Sequence, residues 1–527
     1  MTLTQLSTTH SPGRTLGLAV AHSSVLIGLE AHPIRIEVSS SRGPSGFQMV
    51  GLPEAATREA RVRVTGALAV LGFLMNEYDI TVNLAPAEIR KAGAALDVAI
   101  AVAVLAATKN LPTACLTDVL FLGELSLEAA IQPVRGVLPH LSRPELRQIR
   151  EIIVPSGNAR EAGLSQELNV RVAENLQDLV EHLRGGKKLS RAPRTQFSPS
   201  VAAAGEGDLR DVRGQASARR ALELAAAGAH NLLFVGPPGS GKTLLARLLP
   251  TILPPLTFDE AIECSMIHSV AGLLPQDSGV LRVRPFRAPH HSVSEAGLVG
   301  GGEAPRPGEV SLAHHGVLFL DELAEFRRAT LESLRQPLED GRVCIARARA
   351  RAWFPARPMV VSAVNPCPCG YFSHPRRKCS CSEELRRRYR AKLSGPLLDR
   401  LDIHVSVPPV EVAALTRAHV AECSADVQAR VALARTRQLE RAASLGLSAR
   451  VNAVLSVAEL ERVAPLDRAG KKLLEAAVEN LGLSARAFVK VLRVARTIAD
   501  LEGDPRVQAP HIAEAIQGRL LDAQPSL

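Results

Sequence analysis

The sequence predicts an α/β protein of about three packed units, and three observations carry that reading. Strand-like and helical runs alternate twice, once before residue 185 and again from Asp208 to about Pro408, the pattern of mixed α/β domains. The two stretches are separated by GGKKLSRAPRTQFSPSVAAAGEG, a composition with too little apolar surface to offset the entropy of ordering it. After Val410 the pattern turns all-helical. The expected division is 1–185, an α+β domain; 186–207, a linker; 208–408, a parallel α/β sheet; and 409–527, a helical lid.

In the first unit, strands are expected at Ser24–Leu29, Ile34–Val38, Phe47–Val50, Ile80–Leu84, Val119–Leu122 and Ile152–Val154. Helices are expected at Ala55–Leu71, Asp97–Ala107 and Ala173–Leu183. The last unit reads as helices over Glu411–Leu445, Ser456–Val463, Arg468–Asn480, Ala485–Leu501 and Ala509–Leu521. With 46% hydrophobic and 22% charged residues the chain is globular rather than disordered. Aromatics are only 3%, so cores must be built from Ala, Leu and Val. Lys+Arg 63 against Asp+Glu 53 gives a net charge of +10, which permits a polyanionic partner. The apolar run Val98–Ala107 is too short to span a bilayer, and the N-terminal stretch lacks the charged region, apolar core and cleavage site of a signal peptide. A cytoplasmic protein with no membrane partner is expected.

The chemistry concentrates in the second unit. Leu232–Val235 reads as a buried parallel strand running into Gly236-Pro237-Pro238-Gly239-Ser240-Gly241-Lys242-Thr243 and then a helix. This is the GxxxxGK[ST] phosphate loop in its required strand–loop–helix context. Glycines let backbone N–H groups close around phosphate oxygens, and the helix N-terminus adds its positive dipole end. Lys242 is expected on the β/γ-phosphates of ATP, with Thr243 and Asp321 holding Mg²⁺. Asp321 and Glu322 end a second apolar strand, Val317–Leu320, at the edge where ligands of parallel sheets sit. Glu322 is placed to act on the attacking water. A third strand, Met359–Val364, ends at Asn365, whose amide could orient that water, although Pro366 makes an Asn–Pro turn equally natural.

Taken together, GPPGSGKT, GVLFLDEL, SAVNPCPCG and SGPLLDRLDIHV, in that order, resemble an AAA+ ATPase of the magnesium-chelatase-like group. PFRAPHH and GEVSLAHHGVLFLDEL bring the resemblance closest to the ComM (YifB) family, from about residue 16 to the end. The resemblance implies a central AAA+ sheet with Asn365 as sensor 1. It implies Arg400 as an arginine finger reaching a neighbouring subunit's ATP, and Arg486, heading SARAFVKVLRVARTIADL, as sensor 2 in the lid. It further implies an extra hairpin within 258–307 and another over Gly341–Pro358. In the latter, Arg347, Arg349 and Arg351 alternate with Ala; as one strand they would share a face and could track a phosphate backbone.

GFQMVGLPEAATREARVRVTGALAVLGF and ITVNLAPAEIRKAGAALDVAIAVAVLAA resemble the Lon-protease domain, a ribosomal S5 domain 2-like fold. That family's nucleophilic serine corresponds to Ala95 here, and its general-base lysine to Leu138. Without nucleophile or base, peptide hydrolysis by this dyad is chemically unavailable.

Cys367, Cys369, Cys379 and Cys381 form C-x-C, nine residues, C-x-C. Four thiolates could hold a structural Zn²⁺, and the same thiols could equally be reduced and metal-free. Arg376, Arg377, Lys378, Arg386–Arg388 and Arg390 flank them as a basic patch. The pairs His290-His291 and His314-His315, if on strands, would point opposite ways and not share an ion. The resemblance implies a ring-forming ATPase, a hexamer, acting on single-stranded and branched DNA as a helicase and branch-migration motor in natural transformation and recombination. The rival readings are a magnesium-chelatase-type motor subunit and a protein-remodelling AAA+ chaperone.

Overall fold

The computed structural model describes residues 17–52, 54–91, 93–200, 207–275, 277–347, 350–372, 374–393, 395–410 and 422–519. The N-terminal domain is a mixed seven-stranded sheet, ordered Gly46–Val50, Tyr78–Ala85, Glu30–Arg42, Gly17–Ile27, Val119–Phe121, Glu151–Pro155 and Val170–Ala173. Its long hairpin, Gly17–Ile27 with Glu30–Arg42, pairs antiparallel, as does Tyr78–Ala85 with Glu30–Arg42. Alternation in Tyr78–Ala85 sends Ile80, Val82 and Leu84 inward. All eleven residues of the Asp97–Ala107 helix are buried, as expected of a helix apolar on every side. Its one acid, Asp97, sits in the first turn, where the helix dipole favours it, and pairs with Arg63 at 2.6 Å.

One expected element shifts. Val170–Ala173 is the seventh strand, and the helix starts later, at Leu176, capped by Asn175 accepting from the Asp178 amide at 2.8 Å. The V-R-V-A alternation favours a strand over the first turn of a helix. Part of the linker-like stretch lies along this edge: the Val172 amide donates to Ser190 O and the Ala192 amide to Val170 O, and Leu189 is buried.

The second sheet is five-stranded and wholly parallel, ordered Phe286–Arg287, Val317–Leu320, Met359–Val364, Leu232–Val235 and Ile403–Ser406. Both faces are covered, so its central strands Leu232–Val235, Val317–Leu320 and, apart from Ser362, Met359–Val364 are apolar runs. Leu232 and Phe234 join a core with the helices and the lid, while Leu233 packs on the opposite face with Leu318, Leu320 and Val360. A short hairpin, Gly300–Gly301 with Arg306–Pro307, interrupts the helical path between Glu295–Val299 and Glu309–Leu312.

The arginine hairpin departs from expectation. Arg342–Arg347 pairs antiparallel with Ala350–Pro355, with Arg347 opposite Ala350 and Ala346 opposite Arg351. The reversal therefore falls inside the arginine run, and Arg347 and Arg351 stand on different strands, on opposite faces of the hairpin. Arg349 lies outside the described residues; Arg351 is exposed. Val343, Ile345 and Phe354 face inward, and Ile27 and Leu29 of the first domain pack against the same cluster.

The lid comprises Ser424–Leu445, Val457–Val463, Arg468–Leu481, Ala485–Glu502 and Ala509–Gln517; the expected helical stretch 411–421 lies outside the described residues. It docks at the N-terminal ends of the core strands. Lys490 pairs with Asp402 at 2.9 Å and Thr497 meets His230 at 2.8 Å, just before the Ile403–Ser406 and Leu232–Val235 strands. No helix among the described residues is long and apolar enough to cross a membrane.

Candidate active site

The five expected nucleotide-site side chains converge at the C-terminal ends of the core strands. Gly239 and Gly241 adopt φ of 75° and 89°, a left-handed backbone that favours glycine, and a Cβ on either would meet only open space. The loop thus presents backbone to a cradle rather than to packed protein. The Ser240 hydroxyl is buried in it without a hydrogen-bond partner. Lys242, first residue of the Lys242–Ile252 helix, folds its ammonium onto Gly236 O at 2.7 Å, Pro237 O at 2.8 Å and Asn365 Oδ1 at 3.2 Å. Burial holds that ammonium below the ordinary lysine range, against the opposing pull of Asp321 and Glu322.

Thr243 donates its hydroxyl to Asp321 Oδ2 at 2.8 Å, which brings together two hard oxygen ligands of the kind Mg²⁺ takes. Glu322 follows at φ 52°, a strained conformation for a side-chain-bearing residue, and its amide donates to Asp321 Oδ1 at 2.9 Å. Its carboxylate is exposed towards the cradle and lies 3.4 Å from His291 Nδ1. The unpartnered serine, the open glycines and the oxygen pair fit a nucleoside triphosphate with Mg²⁺.

Arg400 and Arg486 stand elsewhere. Arg400 precedes the Ile403–Ser406 strand, at the sheet end opposite the phosphate loop, and its guanidinium bonds Glu339. Arg486 pairs with Asp399 at 3.6 Å. Arg486 thus pairs with the residue next to Arg400, and Asp399 and Arg400 both lie before the Ile403–Ser406 strand rather than at their own chain's phosphate loop.

The four cysteine sulfurs meet. Cys367 Sγ lies 3.4 Å from Cys369 Sγ and 3.7 Å from Cys379 Sγ, and Cys369 Sγ lies 3.6 Å from Cys379 Sγ. All four lie within 4.8 Å of one another. A tetrahedral Zn–S bond of about 2.3 Å puts sulfurs about 3.8 Å apart, so the donor set fits zinc. Backbone amides point at the sulfurs, Phe372 N to Cys367 at 3.3 Å and Cys369 N to Cys381 at 3.4 Å. Amide donation, from Tyr371 foremost, lowers the Cys369 thiol to about 5. The guanidinium of Arg386 stacks 4.4 Å over Phe372.

Neither histidine pair is on a strand, contrary to the geometry assumed from sequence. His315 turns at φ 53°, and the rings of His314 and His315 lie 3.9 Å apart. Both reach Glu263 Oε2 at 2.9 Å. His314 Nδ1 accepts from the Arg357 amide, so in the neutral ring Nε2 carries the hydrogen and donates to Glu263. That tautomer makes a hydrogen-bond node, with no lone pair turned to a metal. The link from His291 to Glu322 was not legible from sequence beyond the adjacency of two histidines.

In the N-terminal domain, Leu138 is buried and its amide donates to Glu161 Oε1 at 2.8 Å. Gly136 N donates to Ser269 Oγ of the ATPase core at 3.0 Å. Neither Ala95 nor Leu138 offers a nucleophile or base.

Comparison with known proteins finds a family model over part of the N-terminal region, over the core and over the helical region. Models of the magnesium chelatase subunit ChlI match residues 208–415 and 36–158, and that of its C-terminal part matches 421–519. The class is therefore a magnesium-chelatase-like AAA+ protein. The chain is 43% identical over 511 residues to competence protein ComM of Haemophilus influenzae, covering 96% of this chain and 98% of the relative. It is 42% identical over 510 residues to YifB of Salmonella typhimurium, with 96% and 98% covered. The chain belongs to the ComM/YifB family. Its N-terminal region is also similar to Lon protease 2 of Bacillus subtilis, 31% identical over 146 residues, 25% of each chain.

Proposed function

We propose that this protein is a ring-forming ATPase, a hexamer, that moves along DNA as a helicase and branch-migration motor in the cytoplasm, supporting natural transformation and recombination. One observation carries the ring: Arg400 and Arg486 cluster at the sheet end opposite Lys242, Asp321 and Glu322. That placement supports a neighbouring protomer bringing those cations to a bound phosphate, where they would stabilise charge on the transferring phosphoryl group. Within one protomer, Lys242 holds the β/γ-phosphates, and Thr243 and Asp321 hold Mg²⁺. Glu322 polarises the water and Asn365 orients it. The four thiolates hold a structural zinc ion.

DNA rests on the net charge of +10, on exposed Arg376, Arg377, Lys378, Arg387 and Arg388, and on the name of the ComM relative, a competence protein. The low aromatic content favours backbone tracking over base stacking. The test is ATP turnover with and without single-stranded DNA, followed by migration of a synthetic four-way junction, with Glu322→Gln as control. Severalfold stimulation and junction movement are expected. Stimulation by a protein partner alone would move the reading to a chelatase-type or remodelling motor.

A further inference from the structure

We infer that the four-cysteine loop is a metal-set brace for the phosphate loop, so that zinc occupancy governs nucleotide affinity; this rests on the zinc reading above. Three observations lead there.

The loop touches the nucleotide site at two points. Cys367 follows Asn365 by two residues, and Asn365 Oδ1 receives the Lys242 ammonium. Gly370, at φ 81°, lies flat on the phosphate loop: a Cβ there would fall 2.5 Å from Pro238 Cδ and 3.1 Å from Pro238 Cγ. Glycine is needed at this position both for its backbone and for the close approach. The loop thus bears on the phosphate loop directly, and on its lysine through the sensor residue.

Regular secondary structure does not hold the loop in place. From Pro366 to Ser382 no described residue belongs to a helix or strand. The loop borders an open pocket of about 350 Å³ lined by Gly236, Pro237, Asn365, Phe372, His374 and Tyr389. On that side it has no packed neighbour among the described residues to fix it.

What does converge inside the loop is sulfur. The described backbone turns so that both C-x-C pairs meet, Gly370 N closing on Cys367 O at 2.9 Å and the amides of Cys369 and Phe372 aimed at sulfurs. Amide donation to thiolates orients them for a metal and spreads their charge. A bound ion would lock Cys367 and Cys379 together across the loop, and with them the seat of Gly370 on Pro238. Losing the ion would free the loop beside its pocket and release Pro238 and Asn365 together, while the sheet and lid keep their own cores.

The experiment uses the full chain. Zinc is counted by elemental analysis, and binding of a fluorescent ATP analogue with Mg²⁺ is compared in zinc-loaded, chelator-stripped and zinc-restored protein. About one zinc per chain is expected, with affinity at least tenfold weaker after stripping, recovered with zinc, and far-UV circular dichroism unchanged. Gly370→Ala is the second arm: zinc content stays and nucleotide affinity falls by a similar factor. Should that variant not fold, the stripped protein alone decides. Absence of zinc overturns the zinc reading and the brace with it. Zinc present but affinity within twofold after stripping overturns the brace and leaves the zinc reading standing.

Discussion

Two turns in this molecule, the phosphate loop and the turn where the Lon-like resemblance would put a base, are built in opposite ways. In the phosphate loop, Gly239 and Gly241 face open space, and Ser240 keeps a hydroxyl unspent. In the N-terminal domain, the turn from Pro133 to Leu138 is closed. Gly136 N is taken by Ser269, Leu138 N by Glu161, and a Cβ on Gly136 would fall 2.3 Å from Leu26 Cδ1. The first turn leaves its donors for a ligand; the second spends them on Ser269 of the ATPase core and on Glu161 of its own domain. The buried sheet and helix that hold the closed turn do so without any reacting group.

The largest expected effect falls on the open turn. Lys242→Ala should lower ATP turnover by at least about 10³-fold, since a preorganised cation at the transferring group is lost; turnover within tenfold of the unaltered protein would break the contrast. Arg400→Ala should cost about 10²–10³-fold, and mixing it with Lys242→Ala protomers should regain activity neither shows alone. A mixture as inactive as its parts would remove the site shared between subunits.

On the closed side, effects should appear in stability. Asp97 is buried and accepts from the Arg63 guanidinium and the Leu125 amide, so Asp97→Ala, which leaves that amide without its acceptor, should cost about 1–3 kcal/mol in chemical denaturation while leaving ATP turnover per folded chain unchanged. Acid should act on a similar scale, summed over several groups. Burial, with Arg143 adding to it, holds His140 down at about 3; burial does the same to His404, at about 3, and to His314, at about 4. A folded value below the unfolded one gives stability that is complete above the unfolded value and is lost as pH falls. Each histidine should therefore cost about 1 kcal/mol per pH unit below about 6.5, read as a falling denaturation midpoint from pH 7.5 to 5.5. The smallest effect is none: casein should survive incubation with the protein, and degradation abolished by changing Ala95 or Leu138 would reopen the closed turn.

The legible parts were those fixed locally. The phosphate loop, the Asp321-Glu322 strand end and Asn365 follow from short runs whose strand, loop and helix are contiguous. What escaped depends on distant packing. The arginine alternation reads as one strand until the Arg347–Ala350 pairing places a reversal inside it. The histidine pairs read as strand neighbours until the backbone of His315 enters the left-handed region. The seat of Gly370 on Pro238 joins residues 132 apart, and no local pattern announces it. The lid helices were visible as amphipathic runs, but only the Lys490–Asp402 and Thr497–His230 contacts put them below the sheet.

The tips of the first hairpin, Ile27 and Leu29, fill out the apolar cluster beneath the arginine hairpin, and Gly28 approaches Ala352 so closely that a Cβ would lie 3.0 Å away. Excising the ATPase from residue 207 onward would lay bare Ile345, Ala352 and Phe354. The freed piece should then be sticky and prone to self-association, and its sluggish turnover would say more about lost shelter than about the catalytic groups themselves.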